Sequence, residues 1–299
     1  MVPPKRLLKV LFKDSPYENF PLVDYPQKEG GWHSESSVFD KLIADIQPEL
    51  VIEVGTWLGA SALRMADKLK AQSSDARVLC VDTWLGAAEF WDCQSDPERY
   101  EALDIKHGFP SVFYQFIANI LHAGAQDTVV PFPQTSANAA VWLKKRNITS
   151  KLIYIDGSHE EADVYADLTA YWPLLEVGGV IFGDDYDAFW PGVIISVNRF
   201  AVENGLEAEV GDGFWQLRKE TAVTKPKLTQ VDELAALRAE NAILRAHLTS
   251  SILKTDHLVD QIASNNFFVR EVQEEKARAG HFWDLLKEAE AEIERLKKQ

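Results

Sequence analysis

Apolar positions recur along this chain with two different periods, and the changes of period mark out its elements. Residues 1–31 are irregular, broken by prolines and by the adjacent Gly30 and Gly31. They are expected to wrap the following domain or form part of a lid. Residues 34–46 carry apolar side chains at helical spacing, with Ser34 as the expected N-cap and Pro48 marking the end. LVIEV (50–54) is a nearly unbroken apolar run, the pattern of a strand buried on both faces. A turn over 55–59 and a helix over 60–70 follow. RVLCVD predicts a second strand ending at Asp82, and TVVPF a third. SVFYQFIANILHAG between them reads as a helix, and QTSANAAVWLKKRN after them as a turn and a helix.

The stretch KLIYIDGSHEEADVYADLTAYWPLLEVGGVIFGDDY (151–186) organises the rest. LIYI ends in Asp156. A helical segment of about five turns follows, then a Gly-Gly turn. VIF ends in Gly183, Asp184 and Asp185. Strand, crossover helix and strand make two parallel neighbours of one sheet. GVIISVNRFAVENG predicts a helix that stops at Gly205, and LEAEV and FWQLRK around GDG predict a closing antiparallel hairpin.

In open α/β sheets, ligands bind outside the carboxyl ends of the strands. Asp156, Asp184 and Asp185 fall there, and His159 follows three residues after Asp156. Converging carboxylates without a basic partner repel one another, and a hard divalent cation with oxygen ligands, Mg²⁺ above all, resolves that repulsion. The turn GTWLG offers backbone N–H groups and a helix N-terminus to a ligand. Its G-x-x-x-G spacing is weak evidence alone. Asp82 lies 27 positions after Gly55, where an acid takes ribose hydroxyls or merely ends a strand. Trp84 either lies against a bound adenine or packs in the core. Gln134, Thr135 and Ser136 meet a nucleoside base or cap the next helix. Residues 86–127 exceed a plain connection, so a substrate lid or loop packing is expected there. His107 and His122 read as structural. His33 is a second base or the start of a helix, and Asp187 touches substrate or only water.

Charge narrows the partners. The net charge is −15, and residues 221–299 hold 12 basic and 13 acidic side chains, which leaves −14 on residues 1–220. Such a body disfavours nucleic acid, which needs a basic patch. Cys80 and Cys93 make neither a disulfide framework nor a zinc site, Cys80 reads as core, and a reducing, cytoplasmic setting fits. The N-terminus lacks the apolar core of a secretory signal, and no run approaches the roughly 18 apolar residues of a membrane span. Beyond a polar linker at 220–230, residues 231–299 contain no proline and only Gly280 among glycines. Leu234, Asn241 and Leu248 share one heptad position and Leu237 and Leu244 the other. This predicts a coiled coil of roughly 100 Å and a homo-oligomer, with Asn241 setting register. Phe267, Phe268 and Trp283 leave room for a protein or membrane-surface partner.

These motifs in this order resemble class I S-adenosylmethionine-dependent methyltransferases over about residues 32–218. The resemblance rests on EVGTWLG, Asp82 and LLEVGGVIFGDDY. It implies an α/β, Rossmann-like seven-stranded sheet of order 3-2-1-4-5-7-6 with strand 7 antiparallel, here followed by the coiled coil. It implies S-adenosylmethionine contacts at Glu53, Gly55, Thr56, Gly59, Ser61, Asp82, Thr83, Trp84, Ser136 and Asp156. IDGSH followed by GDDY is similar to metal-dependent macrolide-sugar and rhamnosyl O-methyltransferases. That similarity implies Asp156, Asp184 and Asp185 as Mg²⁺ ligands, His159 as base and a sugar or glycan hydroxyl as acceptor. Cephalosporin-hydroxylase-like proteins share this motif region, so another enzyme on the same scaffold is the alternative. An inactive domain carried by a coiled-coil assembly module is the other alternative. Such tails also resemble those of bacterial polysaccharide chain-terminating methyltransferases.

Overall fold

The computed structural model describes residues 2–220, apart from 29, 32, 33, 74 and 95, together with Arg245 and Lys287. His33, the coiled coil expected over 231–299 and all but the first residue of the linker lie outside the described residues. The described chain forms two compact units: one holds the residues up to Ser158, Ala166–Asp184 and those from Arg218, the other His159–Tyr165 and Asp185–Leu217.

The strands are β1 (Leu50–Val54), β2 (Arg77–Asp82), β3 (Val129–Pro133), β4 (Ser150–Ile155), β5 (Leu175–Gly183), β6 (Glu209–Gly211) and β7 (Phe214–Arg218). They form one seven-stranded sheet in the order β3-β2-β1-β4-β5-β7-β6, the order expected. β3-β2-β1-β4-β5 pair in parallel, and β6 pairs antiparallel with β7. Every residue of β1 is buried, because helices cover both faces of a central parallel strand. The helices that matter for the site are α1 (Ser37–Ile46), α2 (Ala60–Gln72), α3 (Val112–His122), α4 (Ser136–Lys145), α5 (Glu161–Tyr171) and α6 (Pro191–Asn204).

Several boundaries differ from expectation for identifiable reasons. α1 begins two residues later than expected. Its N-cap is Ser36, whose Oγ accepts from Val38 N at 3.3 Å, not Ser34. The buried stripe Phe39, Leu42 and Ile43 sets that start. α5 is 11 residues long rather than about five turns, and Trp172–Leu174 continue it as a 3₁₀ turn. Pro173 has no N–H to donate and disfavours the helix before it. The two glycines before VIF belong to β5 instead of a separate turn. They sit in a register shift: Ser150 faces Leu175, but Leu152 already faces Val180. Gly178 N donates to Lys219 O, and Lys219 N donates back to Gly179 O.

The N-terminal segment contains a short helix, Leu7–Leu11, with Leu7 fully buried. Tyr17 reaches across the β3 edge and donates its O–H to Val129 O at 3.0 Å. Burial, with the Cys80 thiol as a lesser cause, pushes the Tyr17 phenol well above its usual range, so it stays a donor. Further on, Lys28 N donates to Asn119 Oδ1 on α3, and Gln115 Nε2 donates to Pro26 O. The segment is therefore tied down at both of these places. His122 has a backbone partner as well, its Nε2 lying 2.9 Å from Tyr25 O. His107 sits at the tip of a two-residue ribbon, Ile105–Lys106 with Phe109–Pro110, and is exposed.

Removing the phenol of Tyr17 strands a buried carbonyl. Tyr17→Phe is expected to destabilise the fold by about 1–2 kcal/mol in urea unfolding, with little change in the slope.

Candidate functional site

The turn between β1 and α2 is held from beneath by one carboxylate. Glu53 is completely buried and accepts from Thr56 Oγ1 at 2.8 Å, from Ser61 Oγ and from the Cys80 thiol at 3.3 Å. Burial pushes its carboxyl up to about 7, while these three donors pull the other way. Cys80 is thus more than filler: burial and the neighbouring Glu53 push its thiol well above the usual range. Glu53, expected as a cofactor contact, presents no surface to a ligand and acts by fixing Thr56 and Ser61.

From above, Asp82 closes the same turn. Its Oδ2 accepts from Thr56 N at 2.8 Å and Trp57 N at 2.9 Å, and its Oδ1 from Trp84 N at 2.7 Å. A carboxylate has about four acceptor positions, so two oxygens bearing three N–H groups retain capacity for a further donor. Gly55 has φ +81°, and a Cβ there would lie 1.9 Å from Asp156 O. Only glycine lets this turn rest on the end of β4. Gly59 opens α2 as its N-cap, and Asn119 Nδ2 of α3 holds the turn by donating to Leu58 O at 2.9 Å.

Two alternatives left open at this edge are decided by the packing. Trp84 packs in the core: it is 1% exposed, between Phe113 and Phe116, and its indole N–H goes to Trp57 O at 2.9 Å. A ring covered by protein on its faces has no free face for an adenine. Thr135, not Ser136, caps α4 by accepting from Asn138 N at 3.3 Å. Ser136 instead offers its carbonyl to the phenol of Tyr171. Trp57, inside the turn itself, was not singled out from the sequence, and its ring packs at 4.5 Å on Phe90 of the 86–127 segment. The aromatic richness of both stretches was the available signal. Thr83 is exposed beside Asp82, and its Oγ1 accepts from Leu85 N.

At the end of β4, Asp156 is half-buried, and Oδ2 accepts the phenol of Tyr154 at 3.1 Å. Burial and the carboxylates of Asp156, Asp184 and Glu53 push that phenol well above its usual range. Within the second unit, His159 Nε2 stands 2.9 Å from Asp185 Oδ2. The imidazole stacks on Trp190, centroids 4.0 Å apart and planes 28° apart. Gly192, in the first turn of α6, lets that helix approach closely, since a Cβ there would lie 2.3 Å from His159 O.

Among the described residues, Asp156, His159 and Asp185 form a group able to hold a metal ion: each offers one ligand atom, all within 4.8 Å of one another. Asp184, expected as a ligand, is buried and is not a member of that group, whereas His159 is. Asp187 accepts from Phe189 N at 2.7 Å and shapes the loop before α6.

Residues 52–186, which span this whole edge from β1 to the acid pair, match the family model described as a methyltransferase domain. This stretch is a methyltransferase domain. Among solved structures, the domain is similar to the O-methyltransferase NovP, at 19% identity and TM-score 0.47, over 62% of this chain and 79% of that one. It is also similar to the calicheamicin methyltransferase CalS11, at 18% identity and TM-score 0.48, over 72% and 91% of the two chains. A third likeness is to an O-methyltransferase from Bacillus cereus in complex with SAH, at 18% identity and TM-score 0.44, over 72% and 96%. Among curated proteins, none matches the chain in sequence.

The buried acid of the methyltransferase turn makes stability depend on pH. Its carboxyl is raised from 4.5 to about 7 in the folded domain. The contribution is therefore fully present below about 4.5 and is lost as pH rises through about 7, an effect on the order of 3 kcal/mol. Urea midpoints measured from acid to pH 8 should fall across that window in the native protein. Glu53→Gln, which cannot ionise, should flatten the fall.

Proposed function

We propose that this protein is an O-methyltransferase that moves the methyl group of S-adenosylmethionine to a hydroxyl of a sugar or glycan, with the help of a divalent cation, Mg²⁺ in the first place. The observation that carries the reading is the Asp156, His159 and Asp185 group inside a methyltransferase domain. Of the similar structures, NovP is named an O-methyltransferase and CalS11 a TDP-rhamnose 3'-O-methyltransferase, names that accord with an oxygen acceptor and the sugar class.

The donor set suits the cation. Two carboxylates supply hard oxygen ligands. Bound there, a divalent cation would supply Lewis acidity, lowering the pKa of a hydroxyl and holding it in place. The chain's own residues do the rest. The N-terminus of α2, which opens at Gly59, would lie against the cofactor, and Asp82, which already fixes Thr56 N and Trp57 N, would keep an acceptor position for its ribose hydroxyls. Histidine side chains titrate near 6.5 when unperturbed, so of the three residue types His159 is the one suited to accept the acceptor's proton near neutrality. Asp185 and the Trp190 ring hold its imidazole in plane and position. The freed oxygen pair forms the new C–O bond as the C–S bond breaks, its electron pair passes to sulfur, and S-adenosylhomocysteine leaves. Orientation by these side chains supplies much of the rate. Phe189, 65% exposed and edge-on to Trp190, offers an apolar face suited to a sugar ring.

The expected partners complete the reading. The 231–299 coiled coil would tether the enzyme as a homo-oligomer and offer a protein or membrane-surface contact. Among the described residues no helix is long and apolar enough to cross a membrane. A cytoplasmic location fits the free cysteines, one buried and one exposed.

Calorimetric titration of S-adenosylmethionine and S-adenosylhomocysteine should show micromolar binding of both. Absence of binding to folded protein would favour another enzyme on this scaffold or an assembly module. Asp156→Ala and Asp185→Ala should abolish methyl transfer to sugar acceptors. His159→Ala should lower kcat by about 10²–10⁴ while leaving cofactor affinity nearly unchanged. Full activity after exhaustive chelation would remove the metal from the mechanism.

A further inference from the structure

Resting on that reading, we infer that Cys80 is a positioning residue for the turn after β1, where the proposed cofactor would lie. Its thiol is the donor through which β2 holds Glu53 and, by way of Glu53, the hydroxyls of Thr56 and Ser61. The inference starts from the sheet register. Cys80 stands opposite Glu53 on the neighbouring strand, and both residues are completely buried. Residues in register on parallel neighbours face the same side, so the two side chains meet beneath the turn. Cys80 Sγ donates to Glu53 Oε2 at 3.3 Å. Thr56 Oγ1 donates to the same oxygen at 2.8 Å, and Ser61 Oγ donates to Oε1.

The three donors are not equivalent. Thr56 lies in the turn and Ser61 in the first turn of α2, so both move with what they hold. Cys80 belongs to another strand and ties the carboxylate to the sheet. Asp82, two residues on, shares its face of β2 and accepts from Thr56 N at 2.8 Å. β2 therefore grips Thr56 twice, at its N–H through Asp82 and at its O–H through Cys80 and Glu53. Packing alone would be met by valine, a common strand residue, whereas the thiol adds a donor aimed at the carboxylate. Burial and the neighbouring Glu53 push that thiol well above its usual range, so it keeps its proton. The Glu53 carboxyl changes charge near neutrality: burial raises it to about 7, Ser61, Thr56 and Cys80 pull it down, and Asp82 adds a lesser upward push. From β4, Tyr154 faces Glu53 in register, and its phenol stays neutral. Only the ionised carboxylate accepts from all three donors, because a bound proton makes one oxygen a donor itself. Loss of the thiol removes a donor to the charged form and lets the proton persist to higher pH.

The test is calorimetric titration of S-adenosylhomocysteine into the full-length protein across about pH 5.5 to 8.5. Native affinity should rise with pH through about 7, and Glu53→Gln should flatten that rise. Cys80→Ala should move the midpoint up by about half to one unit, which weakens binding about two- to fivefold at pH 7. Cys80→Val keeps the volume without the donor and should do the same, which covers the case in which Cys80→Ala does not fold. Cys80→Ser restores a donor at that place and should return the midpoint toward the native one. An unmoved midpoint in the donor-free variants overturns the inference, and so does a native profile that is flat across this range. An equal upward shift in Cys80→Ser overturns it too, as the mark of packing alone. Failure of the folded native protein to bind S-adenosylhomocysteine overturns instead the methyl-transfer reading on which it rests.

Discussion

Backbone lies directly on backbone where the turn after β1 crosses the end of β4. Gly55 leaves no room for a Cβ against Asp156 O, and Gly55 N is tied to Val81 O on the other side. Three strand ends are thereby locked at one spacing. The turn after β1 and the strand that carries Asp156 cannot move independently, because closely packed interiors transmit displacement. Glu53 below and Asp82 above hold the turn by its hydroxyls and its N–H groups respectively. Methyl donor and acceptor must meet within a fraction of an ångström, and a rigid crossing of this kind supplies that constancy.

Much of this was legible because parallel strands announce themselves. LVIEV, RVLCVD, TVVPF and LIYI are apolar runs, all but TVVPF closing on or followed by an aspartate or a glycine, and each lies in a strand of the sheet. The order of those strands followed from resemblance, not from periodicity. Helix starts were less legible where several capping residues stood together. Ser34, Ser36 and Ser37 all suit an N-cap, and only the buried stripe decides among them. Likewise Thr135 and Ser136 are chemically alike, and their roles depend on where α4 begins.

The candidate site divides the same way. Asp156, His159 and the acid pair were visible as a spacing, but the spacing does not say which of the two adjacent carboxylates joins the group. Trp84 was ambiguous because an indole beside a nucleotide turn suits both the ligand and the core. Its N–H on Trp57 O decides for the core. The polar pair Gln115 and Asn119, one helical turn apart on α3, was invisible as a functional signal. It links the turn after β1 to the N-terminal segment through buried amides, which only tertiary placement reveals.

Segment 86–110 leaves the sheet after Asp82, touches the cofactor turn through the Phe90 and Trp57 rings, buries Leu103, and returns to the core at α3. Both its ends are pinned by elements that the core fixes. Between pinned ends, doubling the length of a flexible segment adds only about 0.6 kcal/mol of closure entropy. This wall is therefore the part of the domain most open to divergence. Descendants of one ancestor can lengthen it, shorten it or exchange its aromatic rings, and so acquire new acceptors, while the transfer chemistry beneath is inherited intact.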